Sequence, residues 1–182
     1  MQAHSSNPAA HLAEARLCQR LDPERAVRAL RRAHELDPAS PDLALGWTEA
    51  LMEDQRFDEA LTLLKRFSDR EVVDPRFPLQ RARVLERAGQ AIEALAVLRT
   101  ARDRFPNARQ VRFELANLLL ELNRREELKV ELAEWPDLPA LVPLRHFFEG
   151  MVLARSNQPG DAVAPLTNAF NSQDDDPETA LR

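Results

Sequence analysis

The residues able to do chemistry are few and scattered. The four histidines, His4, His11, His34 and His146, never fall at HxxxH or another metal-ligand spacing. Cys18 is the single cysteine, with no CxxC partner and no adjacent base, and it reads as a buried thiol. Asp174-Asp175-Asp176 lacks the flanking Gly and Glu that a calcium loop requires. No GxGxxG, GxxxxGKS/T or GxSxG occurs. The sequence therefore predicts no catalytic residue, no metal and no cofactor. What remains is the chemistry of recognition: guanidinium groups that fork onto carboxylates, and aromatic rings that supply anchor area.

The elements that position such groups come from a repeat. The stretch Pro75 to Pro106 reads as two helices joined at Gly89, with Ala82, Leu85, Ala94, Leu98 and Ala101 as its apolar and small positions. Shifted by thirty-four residues it fits again. The Leu85 slot returns as Leu17, Leu51, Leu119 and Leu153, and the Leu98 slot as Leu30, Leu64, Leu132 and Leu166. Ala94 returns as Ala26, Ala60 and Ala162, with Leu128 departing. Five copies in one unbroken period are expected, at residues 7–40, 41–74, 75–108, 109–142 and 143–176. Residues 1–6 read as a disordered start, and 177–182 as the opening of a truncated sixth copy or a capping helix. A period of this length signifies stacked helical units, since no single unit can bury its own apolar face.

Composition agrees. The 182 residues are 44% hydrophobic and 30% charged, with only 4 Gly and 5% aromatics, which excludes a disordered chain and disfavours a β-rich one. A net charge of -5 gives no general attraction to nucleic acid or to an anionic membrane. No apolar run approaches the roughly 20 residues that span a bilayer. The N-terminus has no secretory-signal pattern, so the expected location is cytoplasmic by default. Among the bases, lysine occurs only at Lys65 and Lys129.

Along the chain, Asp22-Pro23 and Ser40-Pro41 are cap-and-proline helix starts. The first helix is expected over about Pro8 to Arg20, with Ala9, Ala10, Ala13 and Leu17 inward. Ser68 to Asp74 reads as a longer linker. Trp135-Pro136 ends its helix early, with Trp135 plugging the joint. Gly150 marks a close helix approach, and Pro165 is expected to kink or shorten the last helix.

The pattern resembles the tetratricopeptide repeat, and the match covers residues 7–176. The family favours a small residue midway along the first helix (Ala82, Ala116 and Gly150 comply, Glu14 and Thr48 do not) and alanines early and late in the second. Phe67, Leu128 and Trp135 are bulky where the family is small, so the second and fourth repeats are expected to pack loosely. The resemblance implies an all-α, right-handed α-α superhelix of about ten antiparallel helices. It also implies a non-enzymatic role, binding a partner peptide or helix in a concave groove lined by the first helices.

Helical spacing assigns that groove to Leu45, Glu49 and Glu53, to Leu79, Arg83 and Arg87, to Phe113, Asn117 and Glu121, and to Phe147, Met151 and Arg155. Met52, Glu86 and Leu120 border it, with Asp42, Arg76 and Gln110 at the lip. Residues 41–74 carry 9 acids and 4 bases, and residues 75–108 carry 7 bases and 3 acids. An Arg76, Arg83, Arg87 cluster beside Phe113, Phe147 and Met151 suits a protein or peptide partner with acidic and apolar parts. The competing expectation is that these arginines pair with Glu49, Glu53 and Glu86. Two other roles stay open. One is a segment of a larger bacterial protein, N-terminal to a transferase domain or as the periplasmic arm of an exopolysaccharide exporter. The other is self-assembly as a homodimer through Leu166 and Phe170.

Overall fold

The computed structural model describes residues 7–18, 21–68, 74–156 and 159–171. Among them lie ten α-helices and no strand. They are α1 (Pro8–Cys18), α2 (Pro23–Leu36), α3 (Pro41–Glu53), α4 (Phe57–Ser68), α5 (Arg76–Arg87), α6 (Ala91–Arg104), α7 (Arg109–Glu121), α8 (Arg125–Ala133), α9 (Val142–Arg155) and α10 (Pro159–Asn171). A single 3-10 turn, Pro139–Leu141, precedes α9. The expectations for residues 1–6, for the linker up to Asp74, for Asp174–Asp176 and for 177–182 lie outside the described residues.

Local chemistry starts the helices as the sequence suggests. Asp22 accepts from the Arg25 backbone N–H at 2.9 Å, with Pro23 in the first turn. Ser40 Oγ accepts from the Leu43 N–H at 3.4 Å ahead of Pro41. The turns within helix pairs share one geometry. Gln55, Gly89 and Asn123, spaced by the period, have φ of 61°, 77° and 57°. Around them Arg56, Gln90 and Arg124 donate to the carbonyls of Leu51, Leu85 and Leu119, closing the first helix through a left-handed residue.

The first pair breaks that period. Asp22 donates to Cys18 rather than to Leu17, a four-residue rather than five-residue closure. Cys18 stands eight residues before Ala26, whereas Leu51, Leu85 and Leu119 stand nine before Ala60, Ala94 and Leu128. One residue fewer in the turn moves the register of α1 by one. His11 and Ala15 are buried, while Leu17 is 79% exposed. Ala9, Ala10, Ala13 and Leu17 therefore do not face inward, and the period is not unbroken. Glu14 in the slot reserved for a small residue, with Ala15 beside it, was the visible sign.

The helices group into two compact units, Met1–Val97 and Leu98–Arg182, divided within α6. In the first, each helix packs on the next, and α3 also meets α5. Its core holds Ala26, Leu30, Leu51, Leu64, Phe67, Phe77 and Val84. Phe67 stacks on Phe77 with ring centroids 4.9 Å apart and planes within 10°. In the second unit, α7 meets α8 and α9, and α9 packs along α10. Phe67, Leu128 and Trp135, expected to loosen their repeats, are all buried. Each large side chain is absorbed by its neighbours. Trp135 follows the shortened α8 and meets the Phe148 ring edge-on at 6.2 Å, plugging the joint as expected. Pro165 lies inside α10 without shortening it.

Gly150 is the closest approach. A Cβ there would lie 2.6 Å from Leu166 Cγ and 3.3 Å from the Leu166 backbone nitrogen. Gly150→Ala should destabilise the chain by about 1–3 kcal/mol in urea titrations, despite the better helix propensity of alanine. The register of α1 is checked the same way. Ala15→Asp should cost more than about 2 kcal/mol by burying an unpaired carboxylate. Leu17→Asp should stay within about 0.5 kcal/mol of the parent. The reverse order would restore the unbroken period.

Candidate protein-interaction surface

Helix α3 carries Glu49 and Glu53 into solvent, and α5 does the same for Arg83 and Arg87. Two residues expected on this first-helix face do otherwise. Leu79 is 8% exposed and belongs to the interior, because α5 packs on both α3 and α4. Arg76 is held by two carboxylates. Its Nη1 lies 2.7 Å from Asp42 Oδ1, one period back, and its Nη2 2.8 Å from Asp74 Oδ2. These hydrogen bonds, Asp74 first, raise the Arg76 pKa, and Arg76 in turn holds Asp74 below the usual carboxylate range. The Asp74 contribution to stability is thus present above its unfolded-state pKa and lost as the pH falls through the lower folded-state value. Of the bordering residues, Met52 and Leu120 are buried.

In the second unit the first-helix face is apolar. Phe147, on α9, is 38% exposed, while Phe113, on α7, and Met151, on α9, are half-buried. Fully buried Phe148 supports both rings, 5.2 Å from Phe147 and 5.7 Å from Phe113 between centroids. The polar residues assigned here are engaged within the fold. Asn117 donates to Glu121 Oε1 at 2.8 Å. Arg155 donates through Nη1 to the Leu120 carbonyl at 2.7 Å, closing the end of α7. Of the two residues expected to self-associate, Leu166 packs against Gly150 of α9 and is half-buried. Phe170 is 67% exposed.

Spacing arguments missed the charge network of the second unit. Buried Glu131 accepts from Arg112 Nη1 at 3.1 Å and from Arg102 Nη1 at 2.5 Å. Arg112 also donates through Nε to the Pro106 carbonyl at 2.9 Å, so α6, α7 and α8 are tied at one point. Desolvation lowers the Arg112 pKa from its ordinary value, with the nearby Arg102 charge acting the same way. The signal was present: Glu131 occupies the slot filled by Ala29, Leu63 and Val97 in the preceding repeats.

Among the described residues no cluster of histidine, cysteine and carboxylate groups could hold a metal ion. No helix among them is long and apolar enough to cross a membrane. Two family models, both described as tetratricopeptide repeat, match residues 19–78 and 79–118, together more than half of the chain. The chain belongs to the tetratricopeptide repeat family. Solved structures show the same all-α repeat fold at low identity. MamA from Desulfovibrio magneticus RS-1 is 17% identical with a TM-score of 0.65, over 93% of this chain and 97% of that one. YrrB, a repeat protein with an unusual peptide-binding site, is 18% identical with a TM-score of 0.59, over 94% and 89%. TTC0263, a thermophilic repeat protein from Thermus thermophilus, is 15% identical with a TM-score of 0.61, over 96% of each chain. Comparison with curated protein sequences gives no match.

Within this tetratricopeptide array the buried network is a structural tie. Glu131→Ala should leave the Arg112 guanidinium without its carboxylate and cost about 3–5 kcal/mol in denaturant unfolding. A cost under about 1 kcal/mol would mean that the pair is dispensable.

Proposed function

We propose that this chain is a non-catalytic protein-interaction scaffold, and that the first-helix face of its second unit holds the apolar anchor of a partner peptide or helix. The observation that carries this is the exposure of Phe147, whose ring, like that of half-buried Phe113, rests against the fully buried Phe148 ring. Large apolar side chains seated on a fixed base lose little freedom on association and dominate such interfaces. The neighbouring polar groups Asn117 and Arg155 already have internal partners, so the face selects by shape and apolar area. Acidic residues in a partner would find an exposed guanidinium group at Arg87 on the first unit, with Arg76 committed to Asp42 and Asp74. The peptide-binding site of YrrB is consistent with this use of the fold.

A second reading is self-association through α10, favoured by Phe170 and by Val163, which is 62% exposed. Light scattering across a concentration series decides it, since a concentration-independent monomer rejects this reading.

For the first reading, a random peptide library displayed on phage is panned against the full chain, and the selected peptide is titrated by fluorescence anisotropy. Phe147→Ala should raise Kd at least about tenfold, or about 1.4 kcal/mol, with an unchanged melting midpoint. Arg76→Ala should leave Kd within about twofold, because that side chain is already engaged. An unaltered Kd for Phe147→Ala would move the site elsewhere.

A further inference from the structure

Consecutive helix pairs of the first unit meet through a recurring set of slots. Phe67 of α4 stacks on Phe77 of α5 at 4.9 Å. His34 of α2 lies 5.4 Å from Trp47 of α3 between ring centroids. Gly46 of α3 faces Leu30 of α2, whose Cδ2 would stand 3.6 Å from an added Cβ, an ordinary van der Waals distance. Each contact joins a second helix to the first helix of the next pair.

The same slots are carried by α10 and by α1. Counted in periods of thirty-four, Leu30, Phe67 and His34 become Leu166, Ala169 and Phe170 of α10. Phe170 is 67% exposed and Val163 62%, and with half-buried Leu166 they form a stripe at i, i+3 and i+7. Because the turn after Cys18 is one residue shorter, the interval to α1 is thirty-three. Gly46, Trp47 and Phe77 thus become Ala13, Glu14 and Ala10. Leu17 takes the slot of Ala50, Val84, Leu118 and Val152, all at most 3% exposed, yet it is itself 79% exposed. Ala10 and Ala13 are exposed beside it.

The two faces are complementary in shape. An alanine in the Gly46 slot meets a leucine at contact distance, as the spacing at Leu30 shows. Alanine where Phe77 stands elsewhere leaves room for the Phe170 ring. Glu14 already has its carboxylate on Arg25 at 2.9 Å, so covering this face leaves no unpaired charge there.

We propose that α10 of one copy docks on α1 of a second copy, carrying the packing between helix pairs from chain to chain. This rests on the self-association reading above and adds the surface that receives α10. Since the two faces differ, the contact is heterologous and extends to further copies instead of closing as a symmetric pair.

Complementary blocks test the proposal. Leu17→Asp disables the receiving face and Phe170→Asp the docking face, with Ala13→Glu and Val163→Glu as second blocks on the same faces. All four side chains are exposed, so the melting midpoints should match that of the parent. Full chains are compared by sedimentation velocity over a concentration series. The parent should grow beyond a dimer, and each blocked chain alone should associate at least about tenfold more weakly. Leu17→Asp mixed with Phe170→Asp should give a one-to-one complex and nothing larger, because each retains the face that the other needs. A parent that stays monomeric would overturn the proposal together with the self-association reading. Association undiminished by Leu17→Asp would overturn the proposal alone, leaving symmetric pairing through α10. A mixture of blocked chains that stays monomeric while the parent assembles would overturn it as well.

Discussion

The turn inside each helix pair is the constraint on which the remaining structure depends. It fixes how many residues separate the last inward residue of the first helix from the first inward residue of the second. That number decides which faces meet. Three pairs use the same solution, a left-handed residue at Gln55, Gly89 or Asn123 and a carbonyl closed from five residues on. Where the turn is one residue shorter, after Cys18, the adjoining helix rotates by about 100° and shows a different stripe to the core.

Much of the fold was legible because slots thirty-four residues apart repeat the same packing problem. Leu51, Leu85 and Leu119 are buried as their spacing requires, and so are Leu30, Leu64, Leu98 and Leu132. The failure at α1 has a physical cause. A period counts residues, whereas packing counts angle, and a one-residue change in a turn separates the two. The candidate surface was legible only in part. Spacing places Phe113, Phe147 and Met151 on one face, but it cannot tell that Leu79 is covered or that Arg76, Asn117 and Arg155 already have partners. Those facts depend on which acceptors neighbouring helices present, and a single strip of sequence does not contain them.

Among the described residues, the second unit uses chemistry that the first lacks. A buried carboxylate between two guanidinium groups stands where the preceding repeats are apolar, and a tryptophan lies beyond a helix that stops early. Buried charges specify geometry more strictly than aliphatic contacts, because a small displacement leaves a charge unmatched. The Phe148 ring, enclosed by Trp135, Phe113 and Phe147, adds an aromatic block under the exposed face. A stiff base of this kind keeps the surface rings in place before any partner arrives.

The stacked rings of Phe67 and Phe77 have a wider consequence. The same pair of positions reads Ala33 with Leu43, Ala101 with Val111, and Trp135 with Arg145 in the other repeats. At these positions the sequence pairs a large residue with a flat or long one and a small residue with an aliphatic one. The repeats share a plan but are not interchangeable parts. Permuting them would bring two bulky sides together at one joint and open a void at another. Their order along the chain is thus recorded in the shapes of a few side chains at the seams.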